Sequence, residues 1–334
     1  VGRGVGAFQS SKSKKRYWVT IGVLAVIAAL STVGLLAYNI PVEFGSRGFW
    51  LIVQRRQNAV IAMAIVAVCQ AVATVAFQTV TSNRILTPSI MGFEALYVTI
   101  HTATVYFFGA SSLLNARTLE MFLFQIAVMV GLSLVLYSWL LTDNTANLHA
   151  MLLVGIVLGG GLASVSTFMQ RMLTPSEFDV LTARLFGSVN NADPTYYPVA
   201  IPLVILAVVL MLANSMRLNV MNLGRDAAVN VGVHFRFHAV YTLVLVAVLM
   251  AVSTALVGPM TFLGFLVATL AYQFTDTYDH RYIFPMAALL GFCVLTSAYF
   301  VLNHIFYAQG VVSIIIELVG GLTFLVVVLR KGRL

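Results

Sequence analysis

Three side chains that can exchange or carry a proton stand on one helical face of an apolar run. They are Glu94, Tyr97 and His101, at i, i+3 and i+7. A fourth, Glu317, stands alone in a later apolar run. A carboxyl and an imidazole in hydrocarbon are expensive, and such groups mark proton relays or ion pathways. Glu94 also has a structural reading, because it opens its run and the helix dipole favours an acid in the first turn. Ser164, Thr167 and Gln170 give another apolar run a polar flank that could line a pathway. No covalent chemistry is signalled. The chain has no GxxxxGK[ST], HExxH or GxSxG stretch, and Cys69 and Cys293 lie far apart in apolar runs with no metal-ligand spacing. Neither an enzyme nor a nucleotide-binding chain is expected, and no metal or cofactor site is assigned.

The elements that must position these groups follow from composition. Of 334 residues, 60% are hydrophobic and only 9% are charged. A water-soluble domain carries about 25% charged residues, so this chain cannot cover itself in water. Apolar blocks near the length that crosses about 30 Å of hydrocarbon recur from end to end. They are continuous rather than alternating, which excludes a β-barrel pattern. The expected fold is all-α and polytopic, with about ten transmembrane helices at 17–36, 58–80, 91–109, 118–141, 147–168, 195–215, 236–257, 260–274, 284–302 and 311–330.

Residues 1–16 form a basic tail holding Arg3, Lys12, Lys14, Lys15 and Arg16. The apolar run that follows is longer than a signal-peptide core and is read as a retained first helix. The tail is read as an orientation signal, with no nucleic-acid partner. With both termini cytoplasmic, all of the 19 Lys and Arg fall inside except Arg47, Arg55, Arg56, Arg117, Arg171 and Arg184. That agrees with the positive-inside rule. The adjacent pair Arg55–Arg56 stands against it.

Two connections are longer than turns. Residues 169–194 form an external insert with room for a short helix between Pro175 and Gly187. Residues 216–235 are cytoplasmic and amphipathic, with Leu223, Ala227, Ala228 and Val231 on one face. That face suits either a lipid surface or a docking partner. Gly159, Gly160 and Gly161 lie within an apolar run, where small residues admit close helix approach.

The stretch FQTVTSNRILTPSIMG, residues 77–92, puts Gln78, Asn83, Arg84 and Pro88 between two apolar runs. It resembles the loop Q-x4-N-P-L-A-x-P-x-x-L-G of the iron–siderophore and vitamin B12 permeases, the FecCD-type transmembrane subunits of ABC importers. Arg84 replaces a Pro and Leu86 an Ala. Three further stretches are similar in order: LGRDAAVNVGV (223–233), VGPMTFLGFLVATLAYQF (257–274) and DHRYIFPMAALLG (279–291). Thr261–Gly264 looks like the ferric siderophore branch, in which two different permease chains commonly pair.

The resemblance implies residues 17–334 as one transmembrane permease domain of a bacterial plasma membrane protein. It implies a cytoplasmic gate at Asn83 and Ile85, with a second gate at Leu148 and His149. It also implies an ATPase coupling segment at Leu223, Gly224, Arg225, Asp226, Ala227, Ala228, Val231 and Gly232. Arg56 falls on the first arginine of an R-x-P-R motif that docks a substrate-binding protein, and Ala59 replaces the second. Arg55 is the neighbouring candidate. The implied partners are a second, paralogous permease, two ATP-binding subunits that hold ATP and Mg, a substrate-binding protein, a ferric siderophore and membrane lipid. The competing reading is an ion-coupled secondary transporter using Glu94, His101 and Glu317.

Overall fold

A computed structural model describes residues 7–8, 10–115, 118–142, 148–306 and 312–331. Among them there is no strand. The helices are α1 (Ser11–Ala37), α2 (Arg47–Val80), α3 (Phe93–Phe108), α4 (Ala110–Asn115), α5 (Leu119–Thr142), α6 (Leu148–Arg171) and α7 (Pro175–Leu185). They continue as α8 (Tyr197–Ala213), α9 (Ser215–Met221), α10 (Arg225–Asn230), α11 (Phe235–Val257), α12 (Leu263–Thr275), α13 (His280–His304) and α14 (Val312–Lys331). Each of the ten apolar segments falls on one of these helices. By length and composition alone, six of the described helical stretches can cross a membrane: those within α1, α2, α6, α8, α11 and α13. The α8 stretch begins at Pro194. Leu119–Val135, Leu263–Thr275 and Ile314–Val326 are shorter apolar helices.

Two compact units divide the chain, Val1–Val75 with Phe262–Leu334, and Ala76–Thr261. In the first, α1 lies along α13. The Tyr17 hydroxyl donates to the Tyr282 carbonyl at 3.1 Å, and Ser31 meets Ser297 at 3.1 Å. Phe8, Tyr17 and Tyr282 form a ring cluster, and Thr277 donates to the Ala7 carbonyl, so residues 7–8 are fastened beside the start of α13. Most of α1 is otherwise exposed apolar surface, as a helix facing lipid requires. From Ala62 to Val75, α2 is lined with fully buried small residues, including Ala67, Ala71 and Ala73. Gly291 of α13 packs on Ala67, and Gly264 of α12 packs on Gln70 and Thr74.

In the second unit α11 is the central helix and is buried along nearly all its length. It packs on α5 and α8, while α3 lies against α6. Phe122 and Tyr196 stack at 4.5 Å. The connection 169–194 holds α7, which starts with a capping box: Glu177 N–H donates to the Thr174 hydroxyl and Glu177 accepts from Thr174 N–H. The Thr174 hydroxyl, and then its backbone N–H, hold the Glu177 carboxyl below the usual range.

Candidate functional site

The candidate gate loop is built by the end of α2. Asn83 N–H donates to the Gln78 carbonyl and Ser82 N–H to that of Thr79, with Ser82 at φ 50°. This is a Schellman ending with serine in the left-handed position that glycine usually takes. Two side chains then shape the loop. Gln78 Nε2 donates to the Arg84 carbonyl at 2.8 Å, and Asn83 Oδ1 accepts from Ile85 N–H at 2.9 Å. The amides therefore satisfy backbone groups that no helix covers. Thr87 is extended, as a residue before proline prefers, and Pro88 opens the 3-10 turn Pro88–Met91. Asn83 and Ile85 are half-buried and Arg84 is exposed.

That turn leans on α6. A Cβ on Gly159 would stand 3.2 Å from Gly92 Cα, and one on Gly155 would stand 3.4 Å from Met91 Cα. Gly160 and Gly161 meet nothing. Of the three consecutive glycines only Gly159 serves close approach, and its true companion is Gly155. Leu148 and His149 open α6, but their side chains lie outside the described residues.

Glu94 and Thr261 come together. The Thr261 hydroxyl donates to Glu94 Oε2 at 2.6 Å across 167 residues of sequence. His101 is buried, with Nε2 3.2 Å from Gln125 Nε2 and its ring against Tyr97 at 4.3 Å. The signal for Gln125 was available, as a lone amide in the apolar run of α5. Thr99 and Ser166 meet at 2.8 Å between α3 and α6, and Gln170 donates to Thr102 at 3.2 Å. Ser164 and Thr167 are exposed, and their hydroxyls bond back to Gly160 and Ala163. Gln170 thus ties α6 to α3, while Ser164 and Thr167 lie on the open face of α6. Glu317 is half-buried on α14.

The candidate coupling segment is α10 with its flanks. Val233 N–H donates to the Ala228 carbonyl and Gly232 N–H to that of Val229, with Gly232 at φ 89°. This second Schellman ending demands a residue that tolerates positive φ, and glycine does so without strain. The apolar face divides. Ala228 is fully buried against its own chain, Ala227 is half-buried, and Leu223 and Val231 are 71% and 69% exposed. Two large apolar side chains are thereby offered outward beside exposed Arg225 and Asp226.

The candidate docking pair also divides. Both arginines lie inside α2, which starts at Arg47. Arg56 Nη1 donates to the carbonyls of Leu35 and Tyr38 at 3.1 and 2.7 Å, and Nη2 donates to that of Asn39 at 3.3 Å. It caps the end of α1, where a cation meets the negative end of the dipole. Arg55 is exposed and makes no such bond. We expect Arg56→Ala to loosen the α1 end by about 1–2 kcal/mol and to lower the thermal midpoint. Arg55→Glu is expected to leave the midpoint unchanged and to slow capture of a docking protein at low ionic strength. Thermal melts and association kinetics on both variants check this; equal behaviour of the two sinks the division.

The FecCD transport family matches residues 19–330. The petrobactin import system permease protein FatC of Bacillus anthracis is 57% identical over 332 residues, covering 99% of this chain and 94% of FatC. The petrobactin import system permease protein YclO of Bacillus subtilis is 34% identical over 310 residues, covering 93% and 97%. A solved metal-chelate type ABC transporter in an inward-facing conformation superposes with a TM-score of 0.79, covering 93% of this chain and 99% of that one. Its 19% identity speaks for the fold alone. The secondary-transporter reading finds no support among these relatives. This chain is a multi-pass membrane permease of the FecCD transport family.

Proposed function

We propose that this chain is one of two permease subunits of an ABC importer that carries a ferric siderophore of the petrobactin kind across a bacterial plasma membrane. The observation that carries the proposal is the 57% identity to FatC over nearly the whole chain. The reading comprises ten crossings with both termini in the cytoplasm. A substrate-binding protein delivers the ferric complex at the outer face near Arg55. Two ATP-binding subunits, holding ATP and Mg, engage α10 at the inner face. A second, paralogous permease completes the pathway, and lipid surrounds the pair. The chain itself holds no cofactor and catalyses no reaction.

In this account the residues act by geometry rather than by bond chemistry. The loop at Asn83 and Ile85 closes the inner end of the pathway, together with Leu148 and His149. Its amide bonds to backbone make it a stiff plug, held on α6 by the Gly92–Gly159 contact. Exposed Ser164 and Thr167 place weak polar groups on a face suited to a passing polar chelate, and Glu317 is a further candidate there. Single cysteines at Asn83 and His149 are expected to react with a water-soluble maleimide at different rates in nucleotide-free and ATP-trapped transporter. Identical rates in the two states argue against gating there. For the substrate, deletion of the coding region in its host is expected to abolish uptake of radio-iron presented as ferric petrobactin, and plasmid-borne expression to restore it. Unchanged petrobactin uptake, with loss of a different ferric chelate, overturns the assignment.

A further inference from the structure

A cleft of about 230 Å³ opens where α8 passes into α9, lined by Ala213, Asn214, Arg217, Phe237, His238 and Tyr241. None of the transport roles above uses it. Its polar groups are cationic or neutral. Arg217 is exposed and no carboxylate pairs with it among the described residues. His238 Nδ1 is buried and has no hydrogen-bond partner. Asn214 is fixed by donating to the Thr242 hydroxyl at 3.1 Å. Phe237 and Tyr241 stack at 6.3 Å beside it, with Phe237 exposed. Aromatic rings of this kind gather where hydrocarbon gives way to headgroups.

An apolar track leads to the cleft. On α8, Leu206, Val209 and Ala213 stand at i, i+3 and i+7, all exposed, and Ala213 is itself part of the lining. Ile205 and Leu212 widen the stripe. The helix is long and apolar enough to cross a membrane, and a crossing would lay this stripe in hydrocarbon with the cleft at its end. An amphiphile with one apolar tail and one negative head matches that order of surfaces. A basic pocket beside transmembrane helices is the usual form of an anionic headgroup site.

We propose that the cleft holds the phosphate of an anionic phospholipid, with Arg217 and His238 on the phosphate oxygens and an acyl chain along the Leu206–Ala213 stripe. Arginine supplies a planar fork for the phosphate and the imidazole a second donor. The bound lipid fastens α8 and α9 to α11 just ahead of α10.

The test is native mass spectrometry of the assembled transporter in detergent, titrated with phosphatidylglycerol or with phosphatidylcholine of the same chains. Phosphatidylglycerol is expected to form a tight adduct that phosphatidylcholine does not match. Arg217→Gln should weaken that adduct about fivefold, Arg217→Lys should recover part of it, and Arg171→Gln should leave it intact. Equal retention of both lipids means surface lipid only and overturns the proposal. Full retention in Arg217→Gln with an unchanged thermal midpoint overturns it as well. Displacement of the lipid by millimolar inorganic phosphate identifies a free-phosphate site and overturns the lipid assignment.

Discussion

Ala227→Glu is expected to leave ATP hydrolysis running in the assembled transporter while ferric siderophore uptake falls to background. Ala227 is half-buried on α10, between fully buried Ala228 and the outward-facing Leu223 and Val231. A partner that covers Leu223 and Val231 also covers position 227. Glutamate there carries a charge into an apolar contact. Arg225 is two residues away, on a different side of the helix. An uncompensated buried charge costs about 3–5 kcal/mol, which weakens the α10 contact by more than a hundredfold. The fold of this chain survives, because the side chain points out when the partner is absent. Ala227→Ser, which adds one small hydroxyl, should transport at a rate close to that of the parent. Parallel measurement of phosphate release and radio-iron uptake decides the matter. Parental transport per ATP in Ala227→Glu means that α10 is not the coupling contact.

Gly187→Ala is expected to have the largest effect on stability. A Cβ there would stand 2.0 Å from the Pro259 carbonyl oxygen and 3.0 Å from its carbon. Both are backbone atoms, so no side chain can swing aside. The crossing is fixed on either side. Ser188 N–H donates to the Val257 carbonyl at 2.8 Å, and Gly258 lies against Gly187 Cα. Overpacking of this sort costs about 1–3 kcal/mol and occasionally more. The insert that carries α7 would separate from the end of α11. Gly161→Ala is the matched control, because nothing lies near its Cβ and alanine favours a helix interior by about 1 kcal/mol. Thermal melts of the purified protein should place Gly187→Ala well below the parent and Gly161→Ala at or above it. If the two alanine variants melt together, the crossing is looser than drawn.

Much of the architecture was legible because apolar blocks record the hydrocarbon directly. They do not record where a helix ends. The block at 58–80 starts eleven residues after α2 does, since Gln54, Arg55, Arg56 and Gln57 interrupt the apolar run yet are good helix formers. The expected helix between Pro175 and Gly187 is α7, where threonine, proline and glutamate spell out a start. The loop at 77–92 could be located from its Asn and Pro, but not the division of work inside it, where Gln78 and Asn83 satisfy backbone. Contacts between distant segments were beyond reach. Nothing in the spacing of Glu94 names Thr261 as its partner, and nothing in Arg56 says that it caps α1. The amphipathic reading put Leu223, Ala227, Ala228 and Val231 on one helical face, whereas α10 spans only Arg225–Asn230 and those four side chains range from fully buried to exposed. It could not tell that Ala228 faces inward, because an alanine carries almost no sign of its side.

The most direct test of the central claim is reconstitution. The chain, its second permease and its ATP-binding subunits are placed in liposomes with the loaded binding protein on the outer side of the permease. Ferric petrobactin is then offered under two driving forces, ATP at the nucleotide face or a proton gradient without ATP. The account predicts uptake with ATP, sensitivity to vanadate, and none with the gradient alone. Accumulation driven by the gradient in the absence of ATP would contradict it and return Glu94, His101 and Glu317 to the centre of the mechanism.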